Sequence, residues 1–74
     1  MNIEEFISKF AEVIEVFDES QLNADTEFHE LEEWSSLSTL LVIAFLVEEF
    51  DKQPGNKEIK ECITLQDLYD LATA

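Results

Sequence analysis

The chain contains one glycine, one proline and one cysteine among its 74 residues, and 4 Lys plus Arg against 18 Asp plus Glu. So few turn-forming residues exclude turn-rich β architectures and the glycine-rich loops that cradle phosphates. A lone cysteine cannot close an internal disulfide, and Cys62 suits a reducing cytosol or a buried position. The most apolar run, residues 40–47, is far shorter than the ~20 residues that span a bilayer. The opening Met-Asn-Ile-Glu-Glu lacks the basic start and apolar stretch of a signal peptide, so a cytoplasmic location is expected.

What is abundant is negative charge, a formal −14 at pH 7. Such a surface repels phosphodiester backbones and anionic bilayers, which argues against nucleic-acid binding and membrane insertion. A protein partner should present Lys and Arg. Hydrophobic residues still make up 46% of the chain, too many for a disordered acidic tail. One folded domain over residues 1–74 is expected, as a monomer. A chain this short buries only ~60–65% of its unfolded surface, a demand that the 6 Phe meet with large side chains.

Hydrophobic spacing predicts an all-α fold. Ile3, Phe6, Ile7, Phe10, Val13, Ile14 and Phe17 recur in steps of three and four and form one stripe of a first helix over residues 3–17, with Asn2 and Glu5 as a capping pair. Residues 18–35 show no sustained period and read as an ordered loop pinned by Leu22, Phe28, Leu31 and Trp34. A second helix is predicted over residues 36–50, capped by Ser35 or Ser36 and stopped before Pro54-Gly55. It is apolar almost all round, the pattern of a central helix. A short helical turn over residues 57–62, with Ile59 and Ile63 facing inward, precedes a last helix that opens on the pair Thr64 and Asp67.

Candidates for catalysis are few. His29 is the only histidine, reads as a solvated loop residue, and lies far in sequence from Cys62. The adjacent pairs Glu4-Glu5, Glu32-Glu33 and Glu48-Glu49 point in different directions on a helix and form no acid–base dyad. One Cys and one His fall short of a four-ligand zinc site, and residues 18–27 lack the ligand spacing and glycine of a calcium loop. The informative place is Ser36, a hydroxyl on the first turn of the second helix. Helix N-termini carry free N–H groups and partial positive charge, so a phosphate on Ser36 would be tolerated there.

The segment Glu33-Trp34-Ser35-Ser36-Leu37 resembles the acyl carrier proteins, which carry an Asp-Ser-Leu motif at the start of their second helix, in some cases after Glu-Trp. The resemblance runs nearly the whole chain: a long first helix, the loop at residues 22–26, Glu48-Glu49-Phe50, and Ile63-Thr64-Leu65. It implies a small bundle of three main helices plus a short helical turn, with a long loop between the first two helices. It further implies that Ser36 bears 4′-phosphopantetheine from coenzyme A, and that the chain carries an acyl or related thioester without being an enzyme. The partners implied are a phosphopantetheinyl transferase, and acyl-loading, acyl-transfer or condensing enzymes of fatty acid, lipid, polyketide or related biosynthesis, docking through basic patches. Leu37, Leu41, Ala44 and Glu48, spaced along one helical face, are the candidate partner-binding residues. Two positions depart from the pattern: Ser35 replaces the aspartate that helps recruit the basic transferase, and Leu41 replaces a frequent glutamate. The alternative reading is an unmodified acidic interaction module whose second helix binds a basic amphipathic partner.

Overall fold

A computed structural model describes residues 1–16 and 18–74. Among them are four α-helices and no strand, arranged as a small all-α bundle: α1 (Ile3–Val13), α2 (Ser36–Phe50), α3 (Asn56–Glu61) and α4 (Leu65–Thr73). The expected turn before the last helix is the six-residue α3.

Helix α1 starts where its cap predicts, with Asn2 Oδ1 accepting the Glu5 N–H at 2.8 Å. Its two wholly buried rings, Phe6 and Phe10, lie one turn apart and each gathers an aromatic cluster. Phe6 meets Phe45, Phe50 and Tyr69 at centroid distances of 5.3–5.8 Å. Phe10 meets Phe28 at 5.9 Å and Trp34 at 6.3 Å, beneath the loop that leads to α2. Tilted, edge-on and offset-stacked ring pairs of this kind are favoured beyond the area they bury.

The first helix is shorter than its hydrophobic stripe. It ends at Val13 because Glu15 turns left-handed, with φ 56°, and the Val16 N–H closes on the Ala11 carbonyl at 2.9 Å. This is a Schellman cap, and Val16 packs on the core as the apolar residue that such caps carry just beyond the turn. Phe17, the last residue of the predicted stripe, lies outside the described residues.

The long loop is ordered by two 3-10 turns, Glu19–Gln21 and Phe28–Glu30. Phe28 is wholly buried, while Leu22, Leu31 and Trp34 pack against the core from partly exposed positions. Its middle is tied to the start of α4: Leu65 N–H donates to Thr26 O at 3.0 Å and Gln66 N–H to Ala24 O at 2.9 Å, beside a bridge between Glu27 and Thr64. A long loop held this way acts as a rigid connector.

Helix α2 has the predicted bounds but is not buried all round. Val42, Phe45 and Leu46 face the core, whereas Leu37, Leu40, Leu41 and Val47 are 39–60% exposed. At its end Asp51 is left-handed, with φ 56°, and the Lys52 N–H reaches Leu46 O at 3.3 Å. A non-glycine residue in that region is strained, and a carboxylate at a helix C-terminus opposes the dipole. Asp51→Gly is therefore expected to stabilise the fold by about 0.5–1 kcal/mol, a rise of roughly 2–8 °C in Tm. A thermal melt that shifts downward contradicts this reading.

Beyond α3 the chain is extended at Cys62 (φ −72°, ψ 135°), so neighbouring side chains point to opposite sides. Cys62 takes the inner position, and Ile63, expected to face inward, is 58% exposed. Helix α4 opens on the predicted pair. Thr64 Oγ1 accepts the Asp67 N–H at 3.2 Å, and Asp67 Oδ2 accepts the N–H groups of Ile63 and Thr64 at 3.1 and 3.2 Å. Leu65, Leu68 and Ala72 then face the core.

These N–H donors hold the Asp67 carboxyl below the ordinary aspartate range, and Ser20, through its hydroxyl and its N–H, does the same for Asp18. A folded-state pKa below the unfolded one means that the folded chain binds fewer protons as pH falls toward it. The stabilisation is complete above the unfolded pKa, near 4, and is lost on acidification through the folded value. Melting temperature is expected to decline below about pH 4, with a shallower decline for Asp67→Asn. Parallel acid slopes for the two chains rule out this role for Asp67.

Candidate functional site

Ser36 is the first residue of α2, and the rings beneath the loop set its position. Trp34, two residues earlier, packs edge-on to Phe28 at 5.0 Å and nearly parallel to Phe10. The Trp34 N–H donates to Leu31 O at 3.0 Å, closing the last turn of the loop. Ser35 is the N-cap, in extended conformation, and its N–H donates to Ser38 Oγ at 3.0 Å.

The three serines thus divide their work. Ser38 is buried and its hydroxyl is consumed by the cap, with Ser35 Oγ only 3.4 Å away. The Ser36 hydroxyl is exposed and has no hydrogen-bond partner among the described residues. The first turn of α2 also carries no carboxylate, in a chain with 18 of them. A group attached to Ser36 would meet helix N–H donors on a turn that itself carries no carboxylate.

Ser36 lines an open groove of about 370 Å³ between α2 and α3. Thr39 and Leu40 continue the α2 wall, Asn56 and Lys60 form the α3 wall, and Trp34 and His29 close the end. His29, expected in solvent, is half-buried. Its Nε2 donates to Ile59 O at 3.2 Å, and its ring lies 4.3 Å from that of Phe28 and 5.0 Å from that of Trp34. This contact ties the last turn of α3 to the loop at the end of the groove.

The candidate partner residues fall on the other side of α2. Leu41, Ala44 and Glu48 line a second groove, of about 340 Å³, opposite Lys9, Glu12 and Val13 of α1. Leu37, at the Ser36 end, is the most exposed large apolar residue of the helix. Leu40, in the wall of the Ser36 groove, and Val47 are further exposed apolar residues of α2 outside the predicted set. Leu40 was within reach of sequence reasoning, since i and i+4 share a helical face and it stands one turn from Ser36. Lys60 gives no such signal in the sequence, because only the packing of α3 brings it to the groove.

Cys62 is a buried thiol. Burial, reinforced by the carboxylates of Asp67, Glu58 and Glu61, pushes its thiol pKa up, away from the thiolate. No helix among the described residues is long and apolar enough to cross a membrane.

The chain matches no protein-family model, no curated protein and no solved structure.

Proposed function

We propose that the chain is a carrier protein with an acyl-carrier-like bundle, loaded at Ser36 with 4′-phosphopantetheine from coenzyme A. The observation that carries this reading is the Ser36 hydroxyl itself: exposed, without a partner among the described residues, and placed on a carboxylate-free first turn at the edge of a groove. When bound, the arm supplies a flexible thiol that holds acyl cargo as a thioester. This chain's residues supply the anchor, a tolerant site for the phosphate, and an apolar face for partners. A carrier of this kind catalyses no bond chemistry, and the enzymes that load and unload it bring the nucleophiles and bases.

Docking would use Leu37, Leu41 and Ala44 as apolar contacts, with Glu48 at their edge meeting a basic patch. Charge steers such encounters and leaves affinity low enough for release. With Ser35 in the preceding position, the transferase recognition that favours aspartate is weakened. A second reading rests on the exposed Leu37, Leu40, Leu41 and Val47, which suit an unmodified module that captures a basic amphipathic helix.

Intact mass after incubation with coenzyme A, magnesium and a broad-specificity transferase separates the two. A gain of one phosphopantetheine per chain supports the carrier. An unchanged mass under conditions that load a control carrier leaves the interaction module.

A further inference from the structure

Lys60 is one of only four cationic side chains, and it stands in the groove wall across from Ser36. Its ammonium has no ion-pair or hydrogen-bond partner among the described residues, although the chain offers 18 carboxylates. Asn56, a neutral hydrogen-bonding side chain one turn earlier on α3, shares that wall. Among the described residues lining the groove Lys60 is the one Lys or Arg, so an anion joined to Ser36, on a surface of net charge −14, would find its attraction there.

We infer that the Lys60 ammonium pairs with the phosphate of the arm once Ser36 is loaded, and so holds the first part of the arm against α3. This inference rests on the carrier reading. The Ser36 attachment fixes one end of the arm, and the long lysine stem lets the ammonium move to meet the phosphate. A charge-assisted hydrogen bond there satisfies both groups. Lys60 is then a positioning residue: it lowers the freedom of the arm near its root and biases which side of α2 the thioester leaves from. Trp34, the single tryptophan, lines the same groove and reports on its occupant.

The test compares ¹⁵N-labelled wild type, Lys60→Arg and Lys60→Gln, each before and after enzymatic loading, with intact mass verifying the arm. Lys60 is exposed, and matching spectra of the unloaded chains establish that the fold is kept. In the wild type, loading should shift the amides of Asn56, Ile59 and Lys60 together with those beside Ser36, and change Trp34 emission. Lys60→Arg should retain the α3 shifts, and Lys60→Gln should lose them while keeping those beside Ser36. High salt should shrink the wild-type α3 shifts, since the Debye length falls to about 3 Å at 1 M. Unmoved α3 amides in the loaded wild type, or equal shifts in Lys60→Gln, overturn the inference and leave the carrier reading intact. A chain that never gains the arm's mass removes the carrier reading itself, and the inference with it.

Discussion

Replacing Phe28 with alanine is expected to cost about 3–5 kcal/mol, the usual loss when a large buried ring is deleted and its cavity cannot collapse. Phe28 is wholly inaccessible to solvent and touches Phe10, His29 and Trp34. At roughly 0.05–0.15 kcal/mol per residue, a chain of this size has a total stability of about 4–11 kcal/mol. The variant therefore loses from about a quarter to all of its margin. Phe28→Leu, which conserves most of the volume, should cost about 1.5 kcal/mol or less. Urea unfolding followed by Trp34 fluorescence measures both, because that ring sits directly on Phe28. A loss below 1 kcal/mol for the alanine variant would mean that the loop is not held by this ring.

Ser36→Ala is expected to abolish the mass gain on loading while leaving the unfolding midpoint nearly unchanged. The hydroxyl is exposed and has no partner among the described residues, and substitutions at such positions stay within about 0.5 kcal/mol. Ser38→Ala should do the reverse. It keeps the attachment hydroxyl but strips the Ser35 N–H of its acceptor, at about 1–2 kcal/mol. Together the two variants separate the chemical role of one serine from the structural role of another two positions away. Loading that survives in Ser36→Ala and disappears in Ser35→Ala would shift the proposed attachment by one residue.

Both predictions concern the same stretch, and they show how the core reaches the site. Phe10 supports Phe28 and Trp34, these rings set the loop, and the loop delivers Ser35 to the cap of α2. The proposed arm is thus anchored two residues from a buried aromatic cluster, on a rigid helix end rather than on a free loop. His29 adds the connection to α3, so the same cluster holds both walls of the groove.

Much of this was legible in the chain because it rests on local physics. The bounds of α2 follow from a serine cap at one end and Pro54-Gly55 at the other, and Thr64 with Asp67 marks the start of α4 through backbone groups four residues apart or fewer. The four residues chosen to pin the loop do so, since large apolar side chains in an otherwise polar segment have nowhere else to go. What the chain left open depends on contacts distant in sequence. In the sequence the stripe runs on from Val13 and Ile14 to Phe17 whether the helix continues or closes in a Schellman turn, so the end of α1 was decided by Glu15 turning left-handed. Cys62 and Ile63 are both apolar, and only the extended backbone between α3 and α4 sends one inward and the other out. Helix α2 is apolar on nearly every side, so periodicity could not say which face meets water. Packing against α1, α3 and α4 determined that Leu37, Leu40, Leu41 and Val47 stay exposed. The same packing set Lys60 across from Ser36, because a pairing between residues 24 positions apart exists only after the helices have docked.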